Sequence, residues 1–105
     1  MRGTWKDITP QEVKDKLTTQ KAVQLIDVRN QEEYSEGRIK GSKLIPLNEL
    51  PNRLSEIEKD KEVIFICRSG NRSGKACEYL SNLGYDNLLN MAGGMLGWKG
   101  EVERD

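Results

Sequence analysis

The fold is decided by the stretch VIFICRSGNRS, residues 63–73. Four apolar residues predict a buried strand, Cys67 follows directly, and small, polar and charged residues then lead into a helical pattern. This order places the Cys67 thiol where backbone N–H groups and the positive end of a helix dipole converge. Such surroundings stabilise a thiolate, and Arg68 and Arg72 add positive charge. The stretch therefore predicts a nucleophilic cysteine at the carboxyl end of a strand.

Strand and helix patterns alternate along the rest of the chain. Strands are predicted over residues 23–28, 43–46, 63–66 and 87–91, of which 43–46 is short and 23–28 is expected to be buried. Helices are predicted to begin at residues 10 and 30 and to cover residues 48–58, 72–83 and 95–98. Strands that are apolar on both faces and alternate with helices are typical of a parallel sheet covered on both sides. The sequence therefore predicts an α/β fold, whose ligands bind at the carboxyl ends of the strands.

Capping residues and apolar spacing locate these helices. Thr9 and Glu12 form the pattern of a capping box, and residues 30–33 resemble a second helix start. Leucines and an isoleucine at three- and four-residue spacing predict the helix over 48–58, in which Pro51 fits only the first turn. The helix over 72–83 presents one apolar face and is expected to end before Gly84. That face is formed by Ala76, Cys77, Leu80 and Leu83.

Length and charge limit the possible functions. The 105 residues suffice for one small domain, residues 1–105, with one core. Because 17 basic residues balance 17 acidic ones, we expect neither a nucleic acid nor a membrane as partner. The stretch Met1–Asp7 lacks the apolar segment of a secretory signal, so a cytoplasmic protein is expected. No heptad pattern or long apolar face demands a dimer, and a monomer is the expectation.

The histidine and cysteine counts restrict the chemistry further. The chain has no histidine, which excludes a Cys–His dyad, a Ser–His–Asp triad and a histidine-containing zinc site. Two cysteines alone are a poor metal site, so we expect no metal and no cofactor. Cys67 must then be activated by amides, dipole and arginines. Cys77 lies on the apolar helix face, where core packing is favoured over a role as a resolving thiol or in a disulfide.

Asp27 and Arg29 end the strand over 23–28 and face the same end of the predicted sheet as Cys67. We interpret both as loop-supporting residues. Asp27 would brace the cysteine loop through an ion pair and hydrogen bonds, whereas Arg29 could also face the cleft.

Several motifs, in this order and spacing, resemble those of single-domain rhodaneses, a family of sulfurtransferases. The motifs are LIDVR (25–29), EY (33–34), GRIKGS (37–42), IP (45–46), CRSGNRS (67–73), GY (84–85), GG (93–94) and Trp98. The match extends from about residue 8 to residue 98. It implies a single rhodanese-like domain with a five-stranded parallel sheet flanked by helices on both faces. It also implies a catalytic loop of six residues, from Cys67 to Arg72.

The resemblance implies a substrate as well. In this family the cysteine thiolate attacks the outer sulfur of a small anionic donor such as thiosulfate, and a persulfide forms. Cyanide, a thiol or a partner protein then accepts the sulfur. By similarity Cys67 holds the persulfide, and the loop binds the transferred sulfur and the donor through its amides and charge. The loop residues are Arg68, Ser69, Gly70, Asn71, Arg72 and Ser73.

Two other classes of function stay open at this stage. Relatives of the same fold, phosphatases and arsenate reductases, use a cysteine loop on oxyanions, but their loop has five residues between cysteine and arginine. Here Cys67 and Arg72 enclose four, which suits one sulfur atom better than a tetrahedral oxyanion. The other alternative is a sulfur carrier or a silent binding module. Silent modules commonly lack the cysteine, whereas this chain keeps it.

Overall fold

Five parallel strands form one sheet in the computed structural model, which describes residues 3–19 and 22–105. The strands are β1 (Trp5–Ile8), β2 (Gln24–Asp27), β3 (Lys43–Leu44), β4 (Val63–Ile66) and β5 (Leu88–Met91). Their order is β1-β5-β4-β2-β3, so the strand that leads into Cys67 is central. Asp27 pairs in register with Ile66, and Asn90 with Phe65. The predicted α/β fold with a five-stranded parallel sheet is confirmed.

In the part of the chain that the structure describes, three α-helices connect the strands: α1 (Pro10–Thr19), α2 (Gln31–Glu36) and α3 (Asn71–Asn82). Both predicted helix starts are confirmed. Thr9 and Glu12 exchange hydrogen bonds of 3.1 and 2.9 Å, and Asn30 and Glu33 form a capping box at α2. Within the described residues, each helix is either too short or too polar to cross a bilayer.

The sheet is covered on both faces, as predicted. Side chains alternate along β4, so Phe65 enters one apolar cluster and Ile64 enters the other. The Phe65 cluster includes Leu80 of α3, and the Ile64 cluster includes Val13 of α1. Each of these side chains is fully buried and contributes roughly 1.5–3 kcal/mol through removal from water. This packing on two sides fixes the end of β4, and thereby the position of Cys67.

Three details differ from the predictions. The prediction of one helix over residues 48–58 is wrong, because two 3₁₀ helices, Leu47–Asn52 and Leu54–Glu56, occupy the segment. Pro51 lies inside the first of them, where it has no N–H to donate and disfavours α geometry in the residue before it. Leu83 is 46% exposed because it is the C-cap of α3, with Gly84 following at a φ of 90°. The residue patterns also miss β1, whose Lys6 and Asp7 are exposed.

The N-terminal stretch used to judge the absence of a secretory signal is described only in part. Met1 and Arg2 lie outside the described residues. Gly3 follows, and its N–H donates to the carbonyl of Ser81 at 2.6 Å.

Candidate functional site

Cys67 lies at the first turn of a tight loop between β4 and α3. Gly70 is the N-cap of α3 and adopts the left-handed conformation, with a φ of 98°, which favours glycine. Its N–H donates to the Sγ of Cys67 at 3.0 Å. A side chain at Gly70 would also press on the backbone nitrogen of Gly93, 3.1 Å from an added Cβ. The glycine therefore aims one amide at the sulfur and lets the loop pack closely.

The Cys67 thiol is buried but surrounded by hydrogen-bond donors. Its side chain is 0% exposed, whereas Arg68 and Ser69 above it are exposed. Burial raises the pKa of the thiol, but the Ser73 hydroxyl and the N–H groups of Ser73, Gly70 and Ser69 together lower it by more. The Cys67 pKa therefore lies below its ordinary value. An anion on this sulfur is stabilised, which is what a nucleophilic thiol requires.

Asn90 of β5 completes the surroundings of the thiol. The Oγ of Ser73 lies 3.2 Å from the Sγ of Cys67 and also donates to the Oδ1 of Asn90. Asn90 is 5% exposed and was not predicted as a site residue. Asn90 lies in the predicted strand over residues 87–91, and its polar side chain among apolar neighbours is the one sequence signal that could have indicated a site residue.

A glycine turn supports the loop from behind. The N–H groups of Met95 and Leu96 donate to the carbonyls of Cys67 and Arg68 at 2.9 and 3.0 Å. A Cβ on Gly94 would lie 2.4 Å from the Cys67 carbonyl oxygen, which no structure tolerates without a shift. In the sequence, the GG motif of residues 93–94 carries no local sign of this contact with the cysteine loop.

The two loop arginines have different surroundings. The guanidinium of Arg72 forms a bidentate ion pair with Glu33 of α2, with N···O distances of 2.7 and 2.8 Å. This pair lowers the pKa of Glu33 to about 2. Arg68 is exposed, and the described part of the chain offers its guanidinium no ion-pair partner. The charge of Arg72 is thus balanced within the protein, and that of Arg68 faces solvent.

Asp27 and Arg29 form the ion pair that the sequence analysis expected. The Nε and Nη2 atoms of Arg29 donate to the carboxylate at 2.7–3.1 Å, and both residues are buried. Arg29 also donates to the carbonyls of Glu33 and Gly37. The pair therefore fastens the segment around α2 to β2. It reaches the cysteine loop indirectly, through the Glu33–Arg72 ion pair.

Cys77 is a buried thiol on the sheet-facing side of α3. It belongs to the same apolar cluster as Phe65, and burial, with a smaller contribution from Asp7, raises its pKa to about 12. Both cysteines are free thiols. The core packing predicted for Cys77 is confirmed. Within residues 3–19 and 22–105, no three cysteine or carboxylate side chains are grouped to hold a metal ion.

Comparison with known proteins places these features in a family. Residues 9–101 match the model of the rhodanese-like domain. The chain is 40% identical to "Putative sulfurtransferase YtwF" of Bacillus subtilis, over 93% of this chain and 94% of that protein. It is 38% identical to a sulfurtransferase of Allochromatium vinosum, over 88% and 86%. The crystal structure of a rhodanese-like domain protein from Staphylococcus aureus superposes with a TM-score of 0.88 at 40% identity, covering 95% of this chain and 98% of that one.

Proposed function

This chain belongs to the rhodanese-like domain family, whose sulfur-transfer role it shares, and we propose that it acts through a persulfide on Cys67. The donor is thiosulfate or a similar small anion, and the acceptor is a nucleophile: cyanide, a thiol or a partner protein. One observation supports the proposal most. Donors from one short loop converge on the sulfur of Cys67 and lower its pKa in spite of complete burial.

The reaction divides into two balanced steps. The Cys67 thiolate attacks the outer sulfur of thiosulfate, so a new S–S bond forms on Cys67 while the bond between the two thiosulfate sulfurs breaks. Sulfite leaves with the electron pair of that bond. The acceptor then attacks the terminal sulfur of the persulfide, and the electron pair of the S–S bond returns to Cys67 as thiolate. The Cys67 thiol first loses its proton to solvent, and attack on the donor then needs no base, which suits a site built without histidine.

Each loop residue has a place in this scheme. The amides of residues 68–73 stabilise negative charge, first on the Cys67 thiolate and then on the terminal sulfur. The exposed guanidinium of Arg68 attracts the anionic donor. Arg72 holds the loop against α2 through Glu33, and the Asp27–Arg29 pair fastens α2 in turn. We therefore assign Arg72, Asp27 and Arg29 to support of the loop.

The engagement of Arg72 weighs against an oxyanion enzyme. A phosphatase-type loop needs its arginine to hold the oxygens of a tetrahedral substrate. Here both Nη atoms of Arg72 already donate to the carboxylate of Glu33. The loop is also one residue shorter than the phosphatase-type loop. A sulfur carrier would use the same persulfide and differ only in the identity of its acceptor.

The experiment is an assay of sulfite and thiocyanate released from thiosulfate and cyanide. We expect turnover by the wild-type protein, none by Cys67→Ser, and most of the activity in Cys77→Ala, which removes the other buried thiol. A generic phosphate ester tested in parallel is expected to stay intact. Turnover by a folded Cys67→Ser variant, or hydrolysis of the ester without sulfur transfer, would contradict the proposal.

A further inference from the structure

The buried side chain of Asn90 makes three hydrogen bonds to three different parts of the molecule. Its Nδ2 donates to the carboxylate of Asp7 at 2.9 Å and to the carbonyl of Gly70 at 3.2 Å. Its Oδ1 accepts the hydroxyl hydrogen of Ser73. These contacts join β1, β5, the cysteine loop and the start of α3 at one side chain. Asn90 is therefore well placed to act on the loop chemistry.

The orientation of the Asn90 amide follows from its neighbours. A carboxylate and a carbonyl can only accept hydrogen bonds, so both Asp7 and Gly70 require the NH₂ end of the amide. Its oxygen must then face Ser73. Because an amide oxygen can only accept, Ser73 has to donate its hydroxyl hydrogen whenever that bond is formed.

Ser73 has one hydroxyl hydrogen and two neighbours that can accept it. While Cys67 is a neutral thiol there is no conflict: its S–H donates to the Oγ of Ser73, which donates to Asn90. When Cys67 becomes a thiolate, its sulfur also needs the hydrogen of Ser73. We propose that Asn90 is a positioning residue that competes with the Cys67 thiolate for the single hydroxyl hydrogen of Ser73.

This competition changes through the reaction cycle. The empty thiolate shares the Ser73 hydrogen with Asn90. Once Cys67 carries a second sulfur, the negative charge moves to the terminal atom, and Sγ becomes a weak acceptor. The Ser73 hydrogen then belongs to Asn90 alone. Asn90 therefore disfavours the empty thiolate and favours the sulfur-loaded form of the loop.

Charged groups on the surrounding elements act on Cys67 at the same time. Arg68 lies in the loop, and Arg72 of α3, paired with Glu33 of α2, interacts electrostatically with the thiolate. Asp27 and Arg29 neutralise each other on the β2 side. Asp7 lies on the β1 side, beyond Asn90. Substitution of Asn90 or Ser73 removes none of these charged side chains, so the net charge around Cys67 is the same in every variant, although Asn90→Leu also deprives Asp7 of its hydrogen bond from Asn90.

The test is the rate of alkylation of Cys67 by iodoacetamide, measured against pH and located by peptide mass spectrometry. In a Cys77→Ala background, Asn90→Leu removes the competing oxygen at similar volume. We expect alkylation below the Cys67 pKa to become roughly three- to tenfold faster. Ser73→Ala should slow it by a similar factor. The double variant should match Ser73→Ala, because the proposed competition with the thiolate requires the Ser73 hydroxyl.

If Asn90 only supported the loop structure, Asn90→Leu would change the alkylation rate of Cys67 in the opposite direction. Loss of loop order would remove donors from the sulfur and slow alkylation in Asn90→Leu, and that result would overturn the inference. So would a double variant that differs from Ser73→Ala. Ser73→Thr, which keeps the hydroxyl, should restore alkylation. The inference concerns the cysteine of the proposed function, but alkylation reports the thiolate whether or not sulfur is transferred.

A second measurement needs no substitution at Asn90. At acid pH the infrared S–H stretch of Cys67 should lie at the lowered frequency of a donating thiol, and it should rise in Ser73→Ala. Equal frequencies in the two proteins would show that the thiol does not donate to Ser73. The inference would then be wrong even if Asn90→Leu could not be folded.

Discussion

Cys67 and Cys77 are equally buried thiols, each 0% exposed, yet their pKa values move in opposite directions. Cys77 lies inside α3, where the backbone N–H groups bond to carbonyls of the preceding turn. Cys67 lies before α3, where the N–H groups of the first turn have no partner within the helix. Donors converge on the sulfur of Cys67, and no hydrogen-bond donor among the described residues reaches that of Cys77. Burial therefore raises the pKa of both thiols, and the position relative to the helix start decides which can be a nucleophile.

The largest expected effect is the difference in reactivity between these two thiols. The pKa of Cys67 is lowered from the ordinary thiol value and that of Cys77 is raised to about 12, so their thiolate fractions at neutral pH differ by roughly a thousandfold or more. The Cys77 thiolate, being more basic, is the stronger nucleophile, which offsets part of its smaller thiolate fraction. The alkylation rate of Cys67 should still exceed that of Cys77 by more than about thirtyfold. Peptide mass spectrometry after timed iodoacetamide treatment of the native protein measures it. Comparable labelling of the two cysteines would remove the basis of the comparison.

Two adjacent glycines provide the next test, because an added methyl group would meet the cysteine loop at only one of them. Gly94→Ala would drive a methyl group into the carbonyls of Cys67 and Arg68. Overpacking of this kind costs about 1–3 kcal/mol, in addition to the strain of its φ of 56°. Gly93→Ala is the matched control, since its φ is 80° but nothing lies within 4 Å of an added Cβ.

We expect Gly94→Ala to lower the free energy of unfolding more than Gly93→Ala and to slow alkylation of Cys67. Cys77 should respond to neither substitution, since it lies within α3 and away from the turn. Denaturant unfolding and peptide-resolved alkylation provide both readouts. If the two alanine variants behaved alike, the close approach of Gly94 to the loop would have no energetic meaning.

The smallest expected effect concerns the ion pair that holds the start of α3. The folded-state pKa of Glu33 is about 2, below its usual 4.5, so its pairing with Arg72 contributes stability above pH 4.5. That contribution is lost as the pH falls through about 2. Because both side chains are partly exposed, solvent screening limits it to about 1–2 kcal/mol.

Glu33→Gln keeps the shape of the side chain and its acceptor for the Asn30 N–H while removing the charge. The free energies of unfolding of the wild type and the variant should differ at neutral pH and converge towards pH 2. The variant should also expose the charge of Arg72, so alkylation of Cys67 by anionic iodoacetate should gain relative to neutral iodoacetamide. A difference in unfolding free energy that persists unchanged into acid would contradict the assigned ion pair.

Local signals in the sequence were sufficient to predict most of the fold. The apolar run before Cys67 and the capping residues Thr9 and Asn30 act within a few neighbours along the chain, so their patterns predict the structure directly. β1 was missed because it is an edge strand with exposed Lys6 and Asp7, so it shows no apolar run. The segment around Pro51 is 3₁₀ and not α-helical, because proline has no N–H to donate. The leucine spacing that predicted an α-helix does not register this missing donor.

The candidate site was predictable only in its local part. The loop from Cys67 to Ser73 is contiguous, and the donors that reach the sulfur from it follow from a strand–loop–helix order. Asn90 and Glu33 approach the loop from other elements, through the pairing of β5 with β4 and the packing of α2. Such contacts depend on sheet order and register, which a single sequence does not specify residue by residue.

The central claim is that Cys67, and not Cys77, carries the transferred sulfur. Mass spectrometry of the fully reduced protein, before and after thiosulfate and again after cyanide, tests it most directly. We predict a gain of one sulfur mass on the peptide that contains Cys67, lost when cyanide is added, with Cys77 unchanged throughout. A folded, reduced protein that gains no sulfur, or gains it on Cys77, would contradict the account.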